Sequence, residues 1–282
     1  MHAAIVRSFD AAPSYSAFDE PVPGEQEALV TVTAAGLHPI VKALAKGTHY
    51  GSTRVLPFIP GVDGVGRLED GTRVYFGASK SPFGTFAERC VTSRQLCFPI
   101  PESLDDVTVA AMMNPGMSSW AALTHRAHFA AGESILILGA TGAAGHLAVQ
   151  IAKRFGARRV IATGRKPEAL EELRHIGADA VISLDQKRDA LVSAFRQEWT
   201  KDKVDVVLDY LWGSPAETLL EAISQKGLQH AASRIRFLQI GSSAGQMISL
   251  QAATLRSSGL ELIGSAPAAS PCRRSSNPWP TF

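Results

Sequence analysis

An apolar run that passes through a glycine-rich turn into helix-forming residues is the feature that most constrains this fold. The segment reads Ile135-Leu136-Ile137-Leu138-Gly139-Ala140-Thr141-Gly142-Ala143-Ala144-Gly145-His146-Leu147-Ala148. The apolar run at 135–138 predicts a buried strand, and 143–155 predicts a helix that begins directly after the turn. A strand that leads into a helix in this way starts a βαβ unit, so a parallel sheet is expected.

The same alternation of strand and helix continues to about residue 264. Strands are predicted at 160–162, 180–183, 204–210, 236–240 and 261–264, with helices at 167–176, 189–199 and 215–223. Parallel strands joined by helices require helices on both faces of the sheet. Residues 126–265 are therefore predicted to form a doubly wound α/β domain of the Rossmann type.

Residues 1–125 have a different pattern, in which short β-branched or apolar runs are separated by Gly or Pro. Strands are predicted at 3–6, 28–34, 64–68, 73–76 and 86–91, with helices at 39–46 and 107–113. This pattern predicts an N-terminal domain that is mostly β. Residues 266–282 are rich in Pro, Ser and Arg without a period, and they predict an irregular tail.

The composition excludes several classes of protein. Of the 282 residues 45% are hydrophobic and 19% charged, and the net charge is +2 without a long basic run, so neither disorder nor nucleic-acid binding is predicted. Three cysteines without CxxC spacing argue against a disulfide framework and favour a reducing compartment. No signal-peptide pattern precedes the first strand, and glycines divide the apolar segment 134–152, so a cytoplasmic protein without a membrane span is expected.

The glycine turn predicts a phosphate site through its Ala-x-Gly-x-x-Gly pattern. Gly142 would let a pyrophosphate approach the backbone, Gly145 would let the helix pack closely on the sheet, and the first helix amides would hold the negative charge. The candidate cofactor residues of this turn are Ala140, Thr141, Gly142, Ala143, Ala144 and Gly145. The alternative is a glycine-rich strand-to-helix turn without a ligand.

The charge that follows the second strand distinguishes between nucleotide cofactors. Gly164, Arg165 and Lys166 come at its end, with Arg165 twenty positions after Gly145. An Asp or Glu here would accept a hydrogen bond from a ribose 2′-hydroxyl, whereas Arg and Lys neutralise a 2′-phosphate. NADPH is therefore predicted over NADH. The alternative is that the two basic residues only begin a solvated helix.

Ordered sequence blocks along residues 1–265 point to a family. They are LPFIPGVDGVG (56–66), GTRV (71–74), GTFAER (84–89), AA (110–111) before GMSSW (116–120), the glycine turn, VDVVLD (204–209) and LQIG (238–241). Together they resemble the zinc-independent quinone oxidoreductase branch of the medium-chain dehydrogenase/reductase superfamily. The resemblance implies a GroES-like catalytic domain over residues 1–125, a Rossmann domain over residues 126–265 and an active site in the cleft between them. It also implies NADPH-dependent hydride transfer to a quinone or an α,β-unsaturated carbonyl.

The resemblance also bears on metal binding and catalysis. Where zinc-dependent relatives carry Cys and a His-Glu pair, this chain has GLHP (36–39) and GVD (61–63), and it has no four-cysteine lobe, so no metal site is expected. Catalysis would then depend on positioning and on a donor to the developing oxyanion. Tyr50 is the candidate donor to the substrate oxygen, and His49 is the candidate proton source. Each could instead be a surface or packing residue.

Five further residues are candidates for cofactor binding. Asn114 and Ser118 would orient the nicotinamide carboxamide, with the alternative that Asn114 precedes a helix that begins at Pro115. Tyr210 would cover adenosine or ribose. Gly241 and Ser242 follow a strand end and would lie under the nicotinamide.

Family members normally continue beyond 261–265 with elements that return to the catalytic domain. Residues 266–282 do not resemble such a return, so it is expected to be missing, which would expose apolar surface. The last strand is expected to pair with its copy in a homodimer. Two functions stay open: an NADPH-dependent quinone or enone reductase, and a nucleotide-binding protein with a structural or regulatory role. Zinc-dependent alcohol dehydrogenation is disfavoured by the missing ligands.

Overall fold

The computed structural model describes residues 1–77, 79–224 and 233–266. The chain divides into two compact units, Met1–Asn114 and Pro115–Phe282. The sequence pattern placed the change of architecture between residues 125 and 126. One helix, Asp106–Ala121, continues across the border between the units, which is why the pattern of strands alone does not locate it. Of the predicted irregular tail, residues 267–282 lie outside the described residues.

The N-terminal unit is built mainly from antiparallel strands. Its elements are β1 (His2–Ile5), β2 (Ser14–Ala17), β3 (Glu27–Ala35), α1 (Pro39–Ala45), β4 (Asp63–Arg67), β5 (Arg73–Gly77), β6 (Arg89–Ser93), β7 (Cys97–Pro99) and the first part of α2 (Asp106–Ala121). A five-stranded sheet has the order β6-β3-β4-β5-β7, and β1 pairs with β2. Alternate residues of β5 face opposite sides of that sheet, with Val74 and Phe76 in one apolar cluster and Tyr75 in another.

The C-terminal unit alternates strands and helices. Its elements are β8 (Ser134–Leu138), α3 (Ala143–Arg154), β9 (Arg159–Gly164), α4 (Pro167–His175), β10 (Ala180–Ser183), α5 (Arg188–Lys201), β11 (Val206–Asp209), α6 (Gly213–Ile223), β12 (Ile235–Gln239), α7 (Ala252–Ser257) and β13 (Leu260–Gly264). The six strands are parallel in the order β10-β9-β8-β11-β12-β13. The predicted fold class, a doubly wound parallel sheet with a mostly-β N-terminal domain, is confirmed. The strand order reverses between β8 and β11, where sheets of this kind bind ligands.

The apolar run of β8 fills both faces of the parallel sheet. Ile135 and Ile137 pack in one cluster with Val149 of α3, whereas Leu136 and Leu138 pack in a second cluster with the buried sides of α5 and α6. All five side chains are fully buried. Because successive strand residues point to opposite faces, a strand covered on both sides must be apolar throughout.

The structure corrects the predicted helix boundary at Pro115. The helix predicted at 107–113 extends over Asp106–Ala121 with Pro115 inside it, so the alternative in which Asn114 precedes a helix starting at Pro115 is wrong. Proline removes a backbone donor and usually ends a helix, which is why the sequence favoured a boundary there. The carbonyl of Pro115 accepts a hydrogen bond from Ser118 Oγ at 2.6 Å. The short elements β2, β7 and α7 were not predicted.

Candidate functional site

The turn after β8 is held by the neighbouring strand β9. Gly139 has a φ of 86°, and its N–H donates to Thr163 Oγ1 at 3.1 Å. The N–H of Ala140 donates to Thr163 O at 2.8 Å. Thr163 is fully buried, so both hydrogen bonds are shielded from water. Sequence reasoning missed Thr163, although a hydroxyl at the end of an apolar strand, one residue before Gly164, is the signal that identifies it.

The first turn of α3 is open to an anion. The helix begins at Ala143 after Gly142, without a side-chain cap and without an acidic residue in its first turn. Among the described residues, a Cβ placed on Gly142 would meet only Gly139 O, at 3.7 Å, so the space in front of its backbone is open. Uncapped helix amides and the helix dipole attract negative charge. The candidates from Ala140 to Gly145 form one continuous turn. The N–H of Ala140 is donated to Thr163 O and that of Gly142 to Gly139 O, so the helix amides from Ala143 to Gly145 are the ones open to a phosphate.

Gly145 is the position of this turn that is least able to carry a side chain. A Cβ there would lie 2.4 Å from Gly139 O and 2.5 Å from Ala140 Cα, which are both backbone atoms. Gly145→Ala should therefore push α3 away from β8 and lower the free energy of unfolding by about 2 kcal/mol. Urea denaturation measures this change. In the matched control Gly142→Ala the new Cβ has space, so we expect a change within about 0.5 kcal/mol; equal losses in the two variants would contradict the packing role of Gly145.

Unpaired positive charge lies beside the glycine turn. Thr141 Cγ2 packs so closely on Gly164 that a Cβ on Gly164 would lie 2.2 Å from it, so the turn adjoins the end of β9. Arg165 and Lys166 follow and are exposed, and in the part of the chain that the structure describes neither has an ion-pair partner. Both cations are therefore available to a ligand phosphate.

The turns after β8, β11 and β12 meet around Tyr210. A Cβ on Gly139 would lie 2.8 Å from Leu211 Cδ2, and a Cβ on Gly241 would lie 2.6 Å from Tyr210 O. The Tyr210 hydroxyl is 3.4 Å from Ser118 Oγ, and burial raises the pKa of Tyr210 to about 12. Three of the predicted site residues, Ser118, Tyr210 and Gly241, are thus brought together at the point where the strand order reverses.

Two other cofactor candidates have fewer contacts. In the turn after β12, Ser242 Oγ accepts a hydrogen bond from Gln246 Nε2 at 3.1 Å. Asn114 is half-buried inside α2 and belongs to the N-terminal unit. It lies four residues before Ser118 on the same helix, so the two side chains share a helix face.

A buried carboxylate that sequence reasoning missed ends β11. Asp209 Oδ1 accepts hydrogen bonds from the N–H groups of Leu211 at 2.8 Å and Trp212 at 2.9 Å. Asp209 Oδ2 has no hydrogen-bond partner among the described residues, and burial raises the pKa of Asp209 to about 6. The accepted bonds hold Trp212 at a φ of 56°, which a residue with a side chain rarely adopts. An acidic residue at the end of an apolar strand is the signal that marks it.

The catalytic candidates line a cavity within the N-terminal unit. This cavity measures about 560 Å³, and His49 and Tyr50 are among the residues around it. Their ring centroids lie 4.1 Å apart. His49 Nδ1 accepts the N–H of Gly51 at 3.1 Å, so a neutral His49 ring carries its proton on Nε2. Tyr50 is 80% exposed, which leaves its hydroxyl free to donate to a ligand.

A buried cluster of ionisable side chains lies where α1 begins. His38 Nε2 is 3.3 Å from Asp63 Oδ1, and the Tyr75 hydroxyl donates to Asp63 Oδ2 at 2.9 Å. All three residues are buried. Burial raises the pKa of Tyr75 well above its usual value, and the adjacent Asp63 carboxylate raises it further. From the sequence, the stretches that contain His38 and Asp63 were named, whereas Tyr75 was missed.

The Asp63 carboxylate is expected to stabilise the N-terminal unit. Asp63→Ala would leave a buried imidazole and a buried phenol without their acceptor, which should lower the free energy of unfolding by about 2 kcal/mol. Glu69→Ala removes an exposed carboxylate nearby, and we expect that change to be within about 0.5 kcal/mol. Urea denaturation of both variants tests this expectation. An Asp63→Ala protein as stable as the wild type would mean that the cluster contributes nothing to stability.

Comparison with known proteins identifies the family. A family model described as "Zinc-binding dehydrogenase" matches residues 143–269. The quinone oxidoreductase of Pongo abelii is 30% identical over 201 residues, which cover 68% of this chain and 59% of the relative. A crystal structure of the quinone oxidoreductase from Thermus thermophilus superposes with a TM-score of 0.79 and 28% identity, covering 95% of this chain and 81% of that one. This chain belongs to the medium-chain dehydrogenase/reductase superfamily.

Within the medium-chain dehydrogenase/reductase superfamily, the chain is quinone oxidoreductase-like, as the resemblance predicted. A protein of Emericella nidulans named "Probable NADPH-dependent quinone reductase" is 27% identical over 277 residues, which cover 86% of this chain and 76% of that protein. The chain spans 59% of the length of the Pongo abelii relative, less than two thirds.

The zinc positions of this superfamily carry other residues here. His38 and Asp63 come from the two stretches in which zinc-dependent members have their ligands, and they contact each other. Across residues 1–77, 79–224 and 233–266, no group of three or more His, Cys, Asp or Glu side chains is arranged to hold a metal ion. Cys90 is a buried free thiol, and burial raises its pKa to about 12, which keeps it protonated at neutral pH.

Proposed function

We propose that this chain is an NADPH-dependent oxidoreductase that transfers a hydride to a quinone or an α,β-unsaturated carbonyl without zinc. The observation that carries the proposal is the uncapped first turn of α3 beside two unpaired cations. A helix N-terminus suits a pyrophosphate, and a guanidinium suits a 2′-phosphate. The activities named for the relatives, and the NADPH complex named for the Thermus thermophilus protein, support this cofactor.

The turns at the carboxyl edge of the parallel sheet supply the proposed cofactor site. In the turn from Ala140 to Gly145, the amides of Ala143 to Gly145 would bind the pyrophosphate, and Arg165 and Lys166 after Gly164 would bind the 2′-phosphate. Tyr210 covers adenosine or ribose. The residues assigned to the nicotinamide side are Asn114, Ser118, Gly241 and Ser242. NADPH, when bound, would supply the hydride, and the protein would position the nicotinamide against the substrate.

Reduction of a quinone by a hydride also requires a proton on the reduced oxygen. We assign the hydrogen bond to the substrate oxygen to the exposed Tyr50 hydroxyl and the proton to the imidazolium form of His49. After the transfer the ring is neutral, and its Nδ1 accepts the N–H of Gly51. A catalytic zinc usually needs three protein ligands. In the described part of the chain His38 and Asp63 form a pair without a third donor, which supports chemistry that does not use zinc.

The direct test mixes the purified protein with NADPH and a panel of neutral quinones and one enone. Loss of absorbance at the reduced nicotinamide band should depend on both protein and acceptor, and a zinc chelator should leave the rate unchanged. NADH should be consumed more slowly than NADPH at equal concentration. A chelator-sensitive rate would contradict the zinc-independent assignment.

A second function is favoured by one observation. Many relatives carry an Asn-x-x-Asp pair where this chain has His38 and Val41, so the acidic member is missing. In that alternative the chain binds the nucleotide and serves a structural or regulatory role. Tight NADPH binding without consumption in the same assay would support it.

The location and assembly of the chain stay predictions. No helix within the described ranges is both long and apolar enough to cross a membrane. We retain a cytoplasmic homodimer as the expected state. Sedimentation at micromolar concentration would test the dimer.

A further inference from the structure

The cavity of the N-terminal unit has aromatic walls. Gly47 has a φ of 66°, and a Cβ on it would lie 2.9 Å from Phe9 Cδ1, so the loop after α1 packs directly on the Phe9 ring. Tyr50 extends from the same loop with most of its surface exposed, and its ring lies against His49. Aromatic faces of this kind stack on flat apolar ligands. The aromatic side chains that line the cavity therefore favour a planar ring.

The polar groups of the cavity favour an acidic ligand. Arg54 lines it and is exposed, and among the residues that the structure describes it has no ion-pair partner. The lining residues include no Asp or Glu. An acidic ligand in this cavity would therefore meet a cation and no opposing carboxylate.

The size of the cavity limits the ligand. Its volume of about 560 Å³ lies inside the range of about 300–1,000 Å³ that is typical of small-molecule sites. A molecule of two fused rings with one substituent is within this size range. A guanidinium binds a carboxylate or sulfonate through paired hydrogen bonds, which gives such a ligand a defined orientation.

We infer that this cavity binds a planar aromatic acceptor that carries an acidic group. Arg54 pairs with the acid, and Tyr50 lies on the ring. The identification of this ligand as the hydride acceptor rests on the proposed function, and it predicts that acidic quinones are preferred over neutral ones. The binding preference itself depends only on the residues of this cavity.

Calorimetry with naphthoate and its neutral amide, in the absence of nucleotide, measures the binding preference. The wild type should bind naphthoate about tenfold more tightly than the amide. Arg54→Gln should weaken naphthoate about tenfold, a loss of about 1.4 kcal/mol, and leave the amide unchanged. Arg54→Lys should recover part of the preference, since it keeps the charge without the fork of donors. The matched control Lys46→Gln removes an exposed cation that does not line the cavity, and it should change neither affinity.

Equal affinities of the wild type for the acid and the amide, or an unchanged preference in Arg54→Gln, would overturn the inference. Turnover of a naphthoquinone with and without a sulfonate group separates this failure from failure of the proposed function. If NADPH is consumed with both quinones at equal kcat/KM and naphthoate shows no preference, the inference is wrong while the reductase assignment stands. If naphthoate is preferred through Arg54 but no quinone is reduced, the binding site stands and the proposed function is wrong.

Discussion

Arg165→Glu should weaken NADPH binding about a hundredfold while leaving NADH affinity within about threefold of the wild type. The variant removes a charge-assisted hydrogen bond to the 2′-phosphate and places a carboxylate beside it, for which a loss of about 2.7 kcal/mol is expected. NADH has a 2′-hydroxyl at that position, and a glutamate can accept its hydrogen bond. Calorimetric titration with each nucleotide gives the two dissociation constants directly.

The matched control for Arg165→Glu is Arg154→Glu. Arg154 is an exposed cation at the other end of α3, so the variant changes the net charge equally without altering the turn. Both nucleotides should bind Arg154→Glu with nearly wild-type affinity. If Arg165→Glu weakens NADPH and NADH to the same extent, Arg165 does not contact the 2′-phosphate, and the preference for NADPH has another origin.

The alternation of apolar strands and helices was readable from the sequence because it follows from elementary geometry. The run at 135–138 has to be apolar on both faces, and Gly139 after it can adopt the positive φ that the turn into α3 requires. The order of elements from β8 to β13 therefore followed from local pattern, apart from the short helix α7. The sequence predicted a doubly wound sheet, but only the structure gives the order of its strands, β10-β9-β8-β11-β12-β13.

The candidate site was predictable from the sequence only where the backbone requires a particular residue type, such as glycine. Gly145 was recognisable because its position excludes a side chain. Thr163 and Asp209 act through hydrogen bonds to backbone amides, of Gly139 and Ala140 on a neighbouring strand's turn and of Leu211 and Trp212 on the same turn. Their position at the end of an apolar strand marks them, but it does not identify the amides that they bind. Pro115 is an error of another kind. Proline usually ends a helix, so a helix boundary was predicted there, but α2 continues through it.

The stability of the wild type relative to Asp209→Asn should fall by about 2.5 kcal/mol as the pH rises from about 4 to about 7. The folded-state pKa of Asp209 is raised from 3.8 to about 6 by burial, so the folded protein holds this proton more tightly than the unfolded chain does. The proton therefore favours folding fully below the unfolded pKa, and this contribution is lost as the pH rises through about 6. A difference of about two pKa units corresponds to about 3 kcal/mol.

Asparagine is the informative replacement because it keeps one oxygen to accept from the amides of Leu211 and Trp212 and cannot ionise. Any fixed cost of its buried NH₂ group is independent of pH, so it cancels when the wild-type minus variant difference is followed across a pH series of urea denaturations. Asp202→Asn provides the control of sign when the series is extended below pH 4: the hydrogen bond from Arg158 lowers the pKa of Asp202 from 3.8, so the same difference should rise as the pH increases towards that value. A difference for Asp209 that stays flat between pH 4 and pH 7 would mean that its carboxylate reaches water in solution, and the turn after β11 would then be more open than its hydrogen bonds indicate.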